Sequence, residues 1–189
     1  MNVQLRNLLV LLLLAFPFAR ALADDYADTI KVFRGAGESG RFFSKSYGYA
    51  VFPTIGKGGF VIGGAHGTGR VYAKGVYVGD TSMTQITVGF QLGGQAYSQI
   101  IFFEDKRAFD EFTGGNFEFG VQATAVAITA GASAQAGTTG PSASASGSQH
   151  AAKTAAQYNK GMAVFTVAKG GLMYEASIGG QKFSYKRKQ

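Results

Sequence analysis

The side chains best able to do chemistry in this sequence are a few lysines and arginines set among glycines and aromatics. Gly56-Lys57-Gly58-Gly59 is the most suggestive group. A phosphate loop, however, needs Gly, four residues, then Gly-Lys-Ser/Thr, with a helix opening behind it. Here Phe60-Val61-Ile62 follows, which is strand sequence, so the segment reads as a turn. Gly64 to Gly69 runs Gly-x-x-Gly-x-Gly, the wrong order for a dinucleotide fingerprint, and reads as a second turn with His66 in it. No Gly-x-Ser-x-Gly elbow is present. With two histidines (His66, His150) and no cysteine, thiolate metal sites, iron–sulfur clusters, disulfides, cysteine nucleophiles and a lipid-modified N-terminal Cys are all excluded. Glu104, Asp105, Asp110 and Glu111 gather on one predicted helix, where they read as a solvated face complementing the helix dipole. These patterns predict no enzyme, no cofactor and no metal.

The basic residues near the start of the chain suggest a different chemistry. Lys31, Arg34, Arg41 and Lys45 are 3, 7 and 4 residues apart. On a continuous helix at ~3.6 residues per turn they fall within about a quarter turn. Tyr26, Ile30, Val32, Phe33, Phe43 and Tyr47 fill the adjoining arc. A basic strip beside an apolar one is how an interfacial helix lies on an anionic membrane. The same pattern also describes a helix that packs its apolar stripe on a β-core and solvates its charges. A basic tail, Lys186-Arg187-Lys188, adds a second cluster. The basic residues are not interleaved with a stacking platform, so nucleic acid is not the expected partner.

The elements that must position these residues follow from period and punctuation. Of 189 residues, 28 are Gly, 16 Phe and 9 Tyr. Glycine is thus roughly twice its ~7% background. Charged residues are only 15% and apolar ones 46%, too apolar for a disordered chain. Asp24-Asp25 cap a helix carrying Tyr26, Ile30 and Phe33, and Gly35, Gly37 and Gly40 interrupt it before helical pattern resumes near Ser39 to Ser46. The period then changes to strands: Ala50 to Phe52 ending at Pro53, Gly58 to Ile62, Arg70 to Val78, Thr84 to Gln91 and Gln95 to Phe103. A helix opens at Glu104 to Arg107, carries Phe109 and Phe112, and closes at Gly114-Gly115. Met162 to Val167, Leu172 to Ser177 and Lys182 to Tyr185 are the last three strands. The fold class predicted is α+β and mainly antiparallel, a barrel-like or sandwich sheet of about 8 strands with N-terminal helices and one mid-chain helix.

Residues 1–23 have the three-part pattern of a secretory signal: Arg6, the apolar run Leu8 to Phe18, then Ala21-Leu22-Ala23. The run is too short for a spanning helix of about 20 residues. Removal of the signal leaves residues 24–189 as a single domain with net charge +5, holding a low-complexity Ala/Ser/Gly loop around 137–156. Export without cysteine suits a periplasmic or exported protein peripheral to the cell-envelope membrane.

Ser46-Tyr47-Gly48-Tyr49-Ala50-Val51-Phe52-Pro53 followed by Gly56-Lys57-Gly58-Gly59-Phe60-Val61-Ile62-Gly63-Gly64 resembles the SYLF lipid-binding domain family. The resemblance continues through Gly67-Thr68-Gly69, Val88 to Ala96, Ile101-Phe102-Phe103, Lys169 to Met173 and Gly179 to Phe183, and is to the exported bacterial branch. Gly79-Asp80-Thr81-Ser82 stands where many members carry a Trp-Ser pair, and this chain has no Trp. The resemblance implies a β-rich fold with flanking helices, binding of membrane lipid and no enzymatic activity. Eukaryotic relatives are associated with phosphoinositides and some with actin. What carries over is the class of contact, an anionic headgroup or membrane surface meeting basic residues beside apolar ones. Lys31, Arg34, Arg41 and Lys45, then Lys57, fit that description. Two other readings stay open: a small integral outer-membrane β-barrel, and an envelope structural or protein-interaction module.

Overall fold

The computed structural model describes residues 25–59, 62–88, 94–121, 123–128, 157–169 and 178–189. The signal sequence expected at residues 1–23, the loop expected around 137–156 and the strand expected at Leu172 to Ser177 lie outside these residues. Helix α1 covers 25–35. Ala36 is extended (φ −78°, ψ 124°), and α2 is the single turn Gly37–Gly40. The expected continuous strip is therefore cut. Three glycines in six residues make the helix weak here, and Gly40 approaches the Arg34 carbonyl so closely that a Cβ would stand 2.5 Å from its oxygen. The buried Ser39 hydroxyl donates to the Phe33 carbonyl at 2.5 Å, satisfying an acceptor in this interrupted stretch.

Eight strands form one mostly antiparallel sheet, curled into a half-barrel, in the order β5-β8-β3-β2-β1-β4-β7-β6. They are β1 Gly48–Gly59, β2 Ile62–Ala73, β3 Val76–Val88, β4 Gln95–Phe103, β5 Phe117–Glu118, β6 Val126–Ile128, β7 Met162–Lys169 and β8 Lys182–Arg187. Helix α3, Lys106–Thr113, sits between β4 and β5. The fold class matches the expectation from sequence.

Alternation divides the core into two layers. Tyr49 and Val51 of β1, Ile100 and Phe102 of β4, and Ala163, Phe165 and Val167 of β7 bury one face against Phe33 of α1 and Phe42. Ala50 and Phe52, Ile101 and Phe103, and Met162 and Val164 bury the other against Ala108 and Phe112 of α3. Residues 97–103 are thus buried without a break, as covering both faces of a sheet demands. Asp105 caps α3 by accepting from the Ala108 N–H at 2.8 Å. The carboxylates of this helix lie on its solvent side, in exposed pairs Lys106–Asp110 (2.5 Å) and Arg107–Glu111 (3.3 Å), as the sequence suggests.

Three local expectations are corrected. Pro53 does not end an edge strand. It lies inside the central strand β1, where the pairing shifts register between Val51 and Ile55. A bulge is the one interior position that tolerates the missing N–H, and the Ser98 hydroxyl holds the Pro53 carbonyl at 2.7 Å. Gly56 to Gly59 and Gly64 to Gly69 are not turns but opposed strands, with Lys57 opposite Ala65 and Gly58 opposite Gly64. Arg70 to Val78 is not one strand either. Lys74 (φ 49°) and Gly75 (φ 81°) make a two-residue hairpin turn within it, and both positive φ values match the right-handed twist of the flanking strands.

Inward-facing glycines on β2 and β3 admit large neighbours. A Cβ on Gly69 would stand 2.7 Å from the Phe52 ring, and one on Gly67 2.6 Å from Ile55 Cγ1. Gly56, with nothing within 4 Å of its Cβ position, is the control. In urea unfolding, Gly69→Ala should lose about 1–3 kcal/mol by overpacking, whereas Gly56→Ala should stay within about 0.5 kcal/mol of the native chain.

Candidate lipid-binding surface

The broken helix redistributes the predicted basic residues. Lys31 remains exposed on α1 and pairs with Asp28 at 2.9 Å. The Arg34 guanidinium lies 4.8 Å over the Phe43 ring, and that of Arg41 5.4 Å over Phe42. Phe42 and Phe43 both rest on Phe102, at 5.5 and 4.9 Å between ring centroids. Lys45 is exposed in the same turn, over 41–45. Arg34, Arg41 and Lys45 are therefore brought to the α1 side of the sheet. Lys57 is not. It lies eight residues beyond Tyr49, about 26 Å at the rise of a strand. The bulge at Phe52–Ile55 also inverts the alternation, so Lys57 shares the face of Ile55, opposite to that of Tyr49.

The structure adds partners that chain order conceals. Tyr49, Tyr72 and Tyr77 stand opposite one another on β1, β2 and β3. Tyr49 stacks on Tyr72 at 5.0 Å, and Tyr72 meets Tyr77 at 5.9 Å. Arg70 lies between two rings, 4.3 Å from Tyr26 of α1 and 5.0 Å from Tyr77. Lys188 covers Tyr77 at 4.9 Å, and Lys74, at the tip of the β2–β3 hairpin, covers Tyr47 at 5.7 Å. Val32 and Val76 stay exposed at 50% and 65%. The result is a shelf of tyrosine and phenylalanine rings edged by cations. The sequence signal for it is Arg70 and Tyr72 two apart on one strand face, which acquires meaning only once β1, β2 and β3 are paired.

Three phenols of the shelf, those of Tyr26, Tyr49 and Tyr77, hold their protons more tightly than a free tyrosine. Burial raises the pKa of Tyr26 and of Tyr49 above the ordinary phenol value. Burial, with the hydrogen bond from its hydroxyl to Asp80 (2.7 Å), pushes Tyr77 up to about 12. Such rings offer an apolar body with a polar tip, the character of interfacial tyrosine. Among the described residues no group of three His, Asp or Glu side chains is placed to hold a metal, and no helix is long and apolar enough to cross a membrane. His66 is exposed on β2.

A half-barrel sheet with helices on both faces defines a class of domain, and the comparisons identify the family. The family model described as "Ysc84: Las17-binding protein actin regulator" matches residues 84–189, more than half of the chain. "Beta cell expansion factor A" of Aeromonas veronii is 30% identical over 171 residues, which is 87% of this chain and 56% of that protein. The chain belongs to the Ysc84 (SYLF) family. It spans about half the length of the curated relative that it matches.

Tyr77, Tyr97 and Tyr158 are each pushed up to about 12, chiefly by burial. An unfolded tyrosine ionises near 10. Between these values the unfolded chain releases protons that the folded chain retains, so stability falls as pH rises through the window from 10 to about 12. Phenolate absorbance should show these three residues titrating late in the folded protein and normally in urea. The denaturation midpoint should drop over the same pH range.

Proposed function

We propose that this chain is an exported, non-enzymatic lipid-binding protein that docks peripherally on an anionic membrane surface of the cell envelope. The observation that carries the reading is the cation-edged tyrosine shelf, on which Arg34, Arg70, Lys74 and Lys188 lie over rings beside exposed Val32 and Val76. Each cation near an anionic surface contributes about 1 kcal/mol, screened by salt. The tyrosines and exposed valines supply the apolar contact that such a surface needs at headgroup depth. Family membership supports a lipid-binding or actin-regulator-like role, and the pattern of residues 1–23 supports export. A peripheral mode suits the sheet better than a spanning one. β1 and β4 are covered on both faces by packed side chains, which leaves these central strands no outward apolar band of the kind a membrane barrel requires.

Co-sedimentation with phosphatidylglycerol vesicles tests the proposal. The full chain should pellet with them at low salt and be released at high salt. Arg34→Gln combined with Lys74→Gln should weaken partition about thirtyfold, at about 1 kcal/mol for each charge. Lys57→Gln, on the opposite face, should change it less than twofold. Native-like partition of the double variant, or no pelleting of the native chain, would overturn the reading.

A further inference from the structure

Beside the shelf, the convex face of β2, β3 and β8 carries two rows of polar residues in register. Thr68, Ser82 and Ser184 stand opposite one another, and so do Arg70, Asp80 and Lys186. With Tyr26 of α1 they line an open groove of about 400 Å³. No apolar layer fills it, because α1 meets this part of the sheet at Tyr26 and buries its Phe33 over β1, β4 and β7 instead.

The geometry points to a binding site for a phosphate ester that carries a primary ammonium group, a phosphoethanolamine headgroup. The charge order carries the argument. Arg70, Asp80 and Lys186 set a carboxylate between two cations at strand spacing, about 5 Å apart. Among the described residues neither cation closes to an ion pair with Asp80, whose Oδ1 instead accepts the Tyr77 hydroxyl at 2.7 Å. A carboxylate has about four acceptor positions, so most remain for an N–H donor. The Ser82 and Ser184 hydroxyls share one hydrogen bond at 2.7 Å, in which either can donate. One of the two hydroxyl protons is left for a ligand oxygen. Ring contacts occupy the faces of a guanidinium and leave its in-plane N–H groups, which suit a phosphate.

A bare phosphate meets repulsion from Asp80, and a bare cation meets it from Arg70 and Lys186. A zwitterion whose charges are two carbons apart satisfies both. Choline fits less well. Its quaternary nitrogen has no N–H for Asp80, and cations of the protein already lie over the Tyr26 and Tyr77 rings that would otherwise cage it. The site rests on the lipid-binding reading for its source, although a free phosphodiester carries the same chemistry.

The test is an amide-resolved NMR titration of the full chain with sn-glycero-3-phosphoethanolamine. Asp80, Ser82 and Ser184 should shift and saturate, and sn-glycero-3-phosphocholine and inorganic phosphate should bind at least tenfold more weakly. Asp80→Asn should erase the preference for ethanolamine over choline. Lys186→Met should weaken binding of the ethanolamine ester and serves as the second variant if the first does not fold. In vesicles, exchanging phosphatidylcholine for phosphatidylethanolamine at constant phosphatidylglycerol should increase retention of the native chain but not of Asp80→Asn. Soluble binding without this vesicle effect assigns the groove to a free phosphodiester. Equal binding of the three probes, or no shift at these residues, overturns the site. The Arg34 and Lys74 variants report on the shelf separately, because neither residue lines the groove.

Discussion

How closely β2 and β3 can press against the side chains of their neighbours governs the shape of this molecule. Gly67, Gly69 and Gly79 face inward, and a Cβ on any of them would collide with Ile55, Phe52 or Tyr185. Without these side chains the inner surface is thin. The sheet can then curl around Phe52 and Phe183, which touch at 5.7 Å, instead of lying flat. The same alternation places His66, Thr68 and Arg70 outward, between the glycines. The glycine stripe that shapes the core thereby also sets the polar rows of the convex face.

A buried amide network fixes the far side of that face. Gln99 donates to Gln181 at 2.9 Å, and Gln181 donates to Gln99 and to the Tyr97 hydroxyl at 3.2 Å each. Gln85 holds the Gly179 carbonyl at 2.8 Å. Backbone bonds from Phe119 to Gln181 and from Gly180 to Phe119 close the arrangement. Each of these groups would cost about 1–3 kcal/mol if left buried and unpaired, so the segment 178–181 has few alternative positions. It delivers β8 beside β3 in a single register, which brings Ser184 opposite Ser82 and Lys186 opposite Asp80.

Much of this was legible in the sequence wherever one local signal sufficed. Asp105, Phe112 and Gly115 mark α3 by cap, apolar face and positive φ. The Gln95 to Phe103 strand is found to the residue, because Gly93-Gly94 before it and the helix-opening Glu104-Asp105 after it bound an aromatic and β-branched run. The failures each have a physical cause. A bulge adds one residue to a strand and inverts the faces beyond it, and nothing about Pro53 announces that it sits at such a bulge rather than at a strand end. Lys74-Gly75 lacks the Asn or Asp that usually signals this turn, so two strands read as one. The four-residue basic strip assumed a continuous helix that Gly35, Gly37 and Gly40 do not sustain. Arg70, Tyr72 and Tyr77 become a surface only through pairing between strands, which chain order does not contain.

The partition of charge gives these surfaces their meaning. On α3 and at the β5–β8 edge, cations are matched to acids: Lys106 to Asp110, Arg107 to Asp105 and Glu111, and Lys182 to Glu118. Exposed pairs of this kind add little stability, but they cancel the field of those regions beyond a few ångströms. On the shelf, Arg34, Arg70, Lys74 and Lys188 lean on rings instead. A ring holds a cation in place through its quadrupole without cancelling the net charge. The shelf cations therefore keep their charge available to a surface that approaches within a Debye length of about 10 Å. In the proposed docking mode that side meets the membrane first, and contact presents Tyr26, Tyr72 and Tyr77 to the headgroup layer with the groove beside them.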